Sequence, residues 1–119
     1  MASGTKRYSY LGPVGTFTWE ALGQVLAAKD QEWSSVHNVG EALDDVLSGR
    51  SDFAMIAIEN SIEGGVSATQ DALAAAPELR IVGEYMVPVR FVLAVKPGSS
   101  LNSVTTVAAH AVAYAQCRG

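Results

Sequence analysis

Two short polar stretches carry the side chains best equipped for chemistry. One is Glu59-Asn60-Ser61, followed after Ile62 and Glu63 by Gly64-Gly65. Asn60 can donate and accept hydrogen bonds and Ser61 can donate, so the pair suits an anionic group, with Glu59 placed to orient them. A turn with only a structural task needs the glycines; it does not need an acid, an amide and a hydroxyl in front of them. The competing reading is that Asn60 and Ser61 satisfy the backbone of their own turn. Their place at the end of a buried strand favours a ligand. Gly64 and Gly65 supply positive φ or a close approach at the start of the helix that follows.

The other stretch is Gly12-Pro13-Val14-Gly15-Thr16-Phe17-Thr18. It reads as a cradle for a carboxylate or phosphate, with backbone N–H groups and threonine hydroxyls as donors at a helix start. It reads equally as a plain turn with an N-cap. G-x-G-x-x-G is not satisfied and no Gly-Lys-Ser/Thr follows, so neither a dinucleotide fingerprint nor a P-loop is present. On residue type alone, His110 is a capping or surface group, Gln116 need not share its helix face, and His37 is surface. Cys117 reads as a small buried apolar group, and Trp19 and Trp33 as packing.

The elements that position these stretches alternate. Residues 8–11 form a first strand. A helix capped by Thr16 or Thr18 runs to about residue 29, with Phe17, Ala21, Leu22, Val25 and Leu26 at helical spacing. Residues 32–37 are a second strand, and residues 39–47 a second helix closed by Gly49. Residues 52–58 are apolar throughout and read as a strand buried on both faces. A helix over 66–76 follows, which makes the polar stretch between them a strand-to-helix turn. Such alternation predicts an α/β fold with a mostly parallel sheet. Ligands in such sheets sit at the carboxyl ends of the strands, and both polar stretches lie there.

Beyond residue 78 the pattern changes. Residues 79–88 and 89–95 read as extended segments with Pro88 between them, where proline favours an edge, a bend or a crossing. Lys96-Pro97-Gly98-Ser99-Ser100 is a turn, residues 104–108 a strand, and residues 109–118 a helix. Residues 1–6 read as a disordered lead-in. The domain expectation is a first lobe over about residues 7–80 and the start of a second over about residues 81–119, hence a fragment of a larger protein.

Composition narrows the partners. The 119 residues carry a formal charge of −4 with no basic cluster, which argues against nucleic acid and against an anionic membrane surface. No stretch approaches the roughly 18 apolar residues of a membrane span, and no signal peptide is legible. One cysteine forms no internal disulfide and no metal spacing exists, so no metal is expected and a reducing, cytoplasmic setting is.

Tyr10-Leu11-Gly12-Pro13-Val14-Gly15-Thr16-Phe17-Thr18 resembles the opening motif of prephenate dehydratases, and Ala57-Ile58-Glu59-Asn60-Ser61-Ile62-Glu63-Gly64-Gly65-Val66 resembles their second signature. Val82-Gly83-Glu84-Tyr85-Met86-Val87-Pro88-Val89-Arg90-Phe91-Val92-Leu93 is similar to the strands that follow, and residues 110–117 to a later helix of the family. The resemblance covers about residues 7–119. It implies conversion of prephenate to phenylpyruvate with loss of water and carbon dioxide, in phenylalanine biosynthesis. It implies a fold like type II periplasmic-binding proteins, first lobe plus the start of a second, with no cofactor and no metal. It also implies a cytoplasmic homodimer or homotetramer at full length. Arogenate dehydratase, or a non-catalytic carboxylate-binding module of the same fold, are the alternatives. Carried over, Gly15, Thr16, Phe17, Asn60, Ser61, Gly64 and Gly65 bind the dicarboxylate substrate, and His110 and Gln116 approach it from the second lobe. The family's Thr-Arg-Phe motif, which holds the favoured catalytic donor, is absent, as is the phenylalanine-binding ACT domain. Ala109-His110-Ala111-Val112 stands where the family has Ser-His-Pro-Gln. No catalytic residue is therefore expected in this chain, and the chain alone is expected to be inactive.

Overall fold

The computed structural model describes residues 4–62 and 64–117. The chain divides into two compact units, Met1–Val87 and Pro88–Gly119. In the first, β1 (Arg7–Leu11), β2 (Glu32–Val36) and β3 (Phe53–Met55) form a parallel sheet in the order β2-β1-β3. The helices between them are α1 (Phe17–Leu22) and α2 (Val39–Leu47). The α/β class with a parallel sheet is therefore as the alternation predicts.

The alternation of β1 sends its side chains to two different layers. Tyr8 and Tyr10 face one way and form the apolar core with Leu22 and Ala28, flanked by Trp19, Val25, Trp33, Phe53 and Met55. Tyr8 stacks on Phe53 with ring centroids 4.9 Å apart, and Tyr10 meets the edge of Trp33 at 6.4 Å. Trp33 also donates its indole N–H to the Ala28 carbonyl at 2.9 Å, so both tryptophans pack, as expected. Ser9 points the other way, toward α2. Its hydroxyl is fully buried and bonds Asp45 Oδ2 at 2.9 Å and the Ser51 hydroxyl at 2.6 Å.

α2 begins where its sequence says it should. Asn38 Oδ1 accepts the Glu41 N–H at 2.9 Å, and the Glu41 carboxylate reaches back to the His37 N–H at 2.8 Å. This is a capping box displaced by one residue. The His37 backbone and ring hydrogen bonds hold the Glu41 carboxyl below its usual range. α2 ends at Leu47 with Ser48 as its C-cap, after which Gly49 adopts φ +78°.

Several expectations need correcting. The first helix stops at Leu22 rather than near residue 29. After Gly23 the bonds shorten to the three-residue type, from Gln24 N–H to Ala21 and from Val25 N–H to Leu22. Glycine is about 1 kcal/mol worse than alanine inside a helix, and only a 3-10 turn, Leu26–Ala28, continues the path. β3 ends at Met55 and is half-buried, not buried on both faces. The stretch after it is a small antiparallel hairpin, β4 (Glu59–Asn60) with β5 (Gly64–Gly65), rather than a simple turn. α3 (Ser67–Ala75) then follows.

Residues 79–96 and 104–108 join no ladder among the described residues, although both read as strands. A strand pattern becomes a strand only when a neighbour takes its N–H and C=O groups. The turn at Lys96 is present, with the Ser99 N–H on the Lys96 carbonyl at 3.0 Å. In the second unit a 3-10 turn, Leu101–Ser103, precedes α4 (Ala111–Gln116). Cys117, read as buried, is exposed. Lys6, read as part of the lead-in, is tied to β2: its carbonyl accepts the Glu32 N–H at 3.0 Å. Residues 1–3, Glu63, Arg118 and Gly119 lie outside the described residues, and with them the expected end of the last helix at residue 118. Among the described residues no helix is long and apolar enough to cross a membrane.

Candidate functional site

In a sheet of order β2-β1-β3 the chain leaves β1 toward one side and returns to pair on the other. The gap between the carboxyl ends of β1 and β3 is thus a topological switch point, where α/β folds hold ligands. The two polar stretches are the segments that follow those two ends.

After β1 the chain turns at Gly12, whose N–H bonds the Val36 carbonyl at 3.0 Å. A side chain there would collide with Ser35. Gly15 has φ +94° and open space above its α-carbon, so glycine serves the backbone and leaves room for a ligand. Thr16, not Thr18, is the N-cap of α1: its hydroxyl accepts the Trp19 N–H at 3.3 Å and donates to the Leu11 carbonyl at 2.6 Å. The buried Thr18 hydroxyl donates to the same carbonyl at 2.6 Å. Both protons are committed to the end of β1. What this turn offers an anion is backbone N–H, that of Thr16 lying at a long 3.4 Å from the Pro13 carbonyl. A hollow of about 240 Å³ adjoins the turn, lined by Gly12, Pro13, Ser35, Val36 and His37.

After β3 the chain makes the β4–β5 hairpin, with Asn60 opposite Gly64. Asn60 Oδ1 accepts the Ile62 N–H at 2.9 Å, so its carbonyl oxygen holds the turn. Ser61 is exposed at the tip. Gly64 has φ +83°, which the hairpin requires of it. The base of the hairpin is closed by the Val66 N–H on the Ile58 carbonyl at 2.9 Å. The fully buried Thr69 hydroxyl of α3 donates to the Ala57 carbonyl at 2.6 Å.

Gly15, Thr16, Phe17, Asn60, Ser61, Gly64 and Gly65 thus all belong to the two segments at the switch point of the first unit. His110 and Gln116 belong to the second. His110 is the N-cap of α4, its Nδ1 accepting the Val112 N–H at 3.2 Å. That is the capping role its residue type suggests. Gln116 is half-buried near the end of the same helix. A hollow of about 1050 Å³ lies in this unit, lined by apolar residues such as Phe91, Leu93, Ala109 and Ala113 and by polar ones, Lys96, Ser99, Ser103, Thr105 and Thr106, but by neither His110 nor Gln116.

Residue type alone passed over two supports, Thr69 and Asp45, and read a third, Thr18, as a helix cap or an anion donor. Thr18 and Thr69 pin the two segments to the Leu11 and Ala57 carbonyls from inside, and nothing in the neighbourhood of Thr69 marks it except a hydroxyl at an otherwise apolar helical position. Asp45 holds Ser9 on one oxygen and Arg50 Nε at 2.7 Å on the other. Arg50, then the Ser9 hydroxyl, keep its carboxyl below the usual range.

Comparison with known proteins gives a consistent result. The family model for prephenate dehydratase matches residues 8–119. A prephenate dehydratase of Mycobacteroides abscessus is 40% identical over 119 residues, covering 95% of this chain and 39% of that protein. One of Amycolatopsis methanolica is 42% identical over 112 residues, covering 94% and 36%. Among solved structures, prephenate dehydratase of Arthrobacter aurescens, in complex with L-Phe, aligns with TM-score 0.52 at 53% identity, covering 57% of this chain and 22% of that one. The enzyme of Streptococcus mutans aligns with TM-score 0.56 at 32% identity, covering 60% and 37%. The chain spans about two fifths of the length of the curated relatives it matches.

Proposed function

The chain belongs to the prephenate dehydratase family, and on that premise we propose that it carries part of a site that converts prephenate to phenylpyruvate. One observation supports this above the others. The two segments that carry the family signatures follow the carboxyl ends of the adjacent parallel strands β1 and β3.

Prephenate is a dicarboxylate with a ring one step from aromaticity. Loss of its hydroxyl requires a proton, so that water rather than hydroxide departs. The electron pair of the ring carboxylate's C–C bond then enters the ring as carbon dioxide leaves. Little covalent chemistry is asked of the protein: it holds two carboxylates and supplies one proton donor. The backbone around Gly15, Thr16 and Phe17 serves one anionic group, and the hairpin tip at Asn60 and Ser61 another. Gly64 and Gly65 keep that tip narrow. His110 and Gln116 are assigned to the same ligand on family resemblance. So is the type II periplasmic-binding-protein-like form, with its homodimer or homotetramer and its cytoplasmic setting. The family's catalytic threonine has no counterpart in residues 1–119, so this chain binds prephenate without turning it over.

Calorimetric titration with prephenate, with phenylpyruvate followed in parallel, tests the reading. The expected result is binding without product, weakened about tenfold by Ser61→Ala, the loss of one hydrogen bond to a charged group. Absence of heat at any prephenate concentration contradicts the site; product formation contradicts the missing donor.

A further inference from the structure

The hollow beside the Gly12-Pro13 turn lies apart from the switch point. It measures about 240 Å³ and is bounded by that turn and by Ser35, Val36 and His37, at the carboxyl ends of β1 and β2. The prephenate site is placed on the other side of β1, between β1 and β3. A ligand in the hollow is therefore a second one. Its size is below the roughly 300–1,000 Å³ of sites for drug-sized molecules, so it suits a molecule of a few carbons.

Two of its residues carry polar groups that the fold leaves for a ligand. Ser35 lies against the turn, and a side chain at Gly12 would collide with it. Glycine at 12 thus keeps open the space that Ser35 occupies. The Ser35 hydroxyl makes no hydrogen bond to protein among the described residues. His37 has one ring nitrogen already in use: Nδ1 lies 3.1 Å from Glu41 Oε2, and the same oxygen accepts the His37 N–H at 2.8 Å. A carboxylate only accepts, so the proton of the neutral ring sits on Nδ1 and the nitrogen left over is Nε2. When the ring takes a second proton, Nε2 becomes a charged donor.

The surroundings leave that charge to act. Glu41 on α2 is the charged group in contact with His37; Ser35 and the turn at residues 12–18 bring none. The Glu41 carboxyl, held below its usual range first by the His37 backbone bond, stays ionised in mild acid. Pro13 and Val36 add apolar surface, and the Gly12 N–H is spent on the Val36 carbonyl. A hydroxyl donor, a donor that becomes cationic and an apolar wall match the head and short tail of an aliphatic acid. We propose that the hollow binds a small monocarboxylate, its oxygens held by Ser35 Oγ and His37 Nε2 and its aliphatic part lying on Pro13.

Titration of the isotope-labelled chain with propionate, read by backbone amide and His37 ring shifts, tests this. Saturable shifts are expected at Gly12, Ser35 and His37. The affinity rises as pH falls, in step with protonation of the His37 ring followed in the same spectra. Propionamide, of the same size but without the charge, binds about tenfold more weakly. Ser35→Ala and His37→Phe each weaken propionate about tenfold, the loss of one hydrogen bond to a charged group. Both side chains are exposed, so the variants keep the fold, and unchanged amide shifts away from the hollow verify it. Absence of saturable shifts at Ser35 and His37, equal binding of propionamide, an affinity independent of pH, or variants that bind like the wild type each overturn the proposal.

Discussion

Removing the Ser9 hydroxyl tests how the first unit is held together. Ser9 lies on β1, the central strand, with 0% exposure. Its oxygen joins three segments: β1 itself, α2 through Asp45, and the α2–β3 connection through Ser51, at 2.9 and 2.6 Å. Ser9→Ala removes both bonds and leaves the Ser51 hydroxyl, 5% exposed, without that partner. Asp45 retains Arg50 at 2.7 Å, so the acid is not stranded. A buried group left unsatisfied costs about 1–3 kcal/mol, and two bonds lost at one oxygen point to about 2 kcal/mol here, the cost falling mainly on Ser51. At about 4 °C per kcal/mol for a domain of this size, the melting temperature falls by about 8 °C. Urea denaturation with an unchanged slope is the assay.

The pH dependence adds a second readout. The Asp45 carboxyl is held low in the folded state, first by Arg50 and then by Ser9. A depressed folded value contributes stability above the unfolded value of about 4, lost as pH falls through the folded value. Ser9→Ala makes that depression smaller. The gap between wild type and variant is therefore widest near neutrality and narrows below about pH 4. A loss under about 0.5 kcal/mol at neutral pH, the range of ordinary surface changes, would refute the idea that this oxygen fastens the sheet to α2.

Three further predictions concern single residues. Gly15→Ala costs about 1–2 kcal/mol from its φ of +94°, with no steric term because the space is open, and thermal denaturation reads it. Asn38→Ala removes the α2 cap and costs about 1 kcal/mol in urea denaturation. Thr69→Val keeps the shape but loses the bond to the Ala57 carbonyl; it costs about 1 kcal/mol and raises amide hydrogen exchange in the hairpin at residues 58–66 relative to the sheet.

Much of the first unit was legible in its residues because its signals are local. β1 alternates, Asn38 and Glu41 mark a helix start within four residues, and Gly49 marks its end. What failed depended on partners distant in sequence. Val25 and Leu26 continue a helical period past Gly23, but Val25 packs on the Tyr8–Tyr10 core with extended backbone, just before the 3-10 turn Leu26–Ala28. Residues 56–58 are as apolar as a strand, yet among the described residues they join no ladder; the Ala57 and Ile58 carbonyls go instead to the Thr69 hydroxyl and the Val66 N–H. The Glu59–Gly65 hairpin hides in a stretch whose polar residues and glycines announce a turn without saying how wide. The position of the candidate site at two strand ends was readable from element order alone. The commitment of the Thr16 and Thr18 hydroxyls to the Leu11 carbonyl was not, because it depends on how the turn closes in space.

The central claim is that the turn after β1 and the hairpin after β3 hold one dicarboxylate. Its most direct test is a titration of the isotope-labelled chain with prephenate, following backbone amide shifts. The account predicts saturable shifts at Gly15, Thr16 and Phe17 together with Asn60, Ser61 and Gly64, with one shared affinity. Shifts confined to one of the two segments, or none at either, would contradict it.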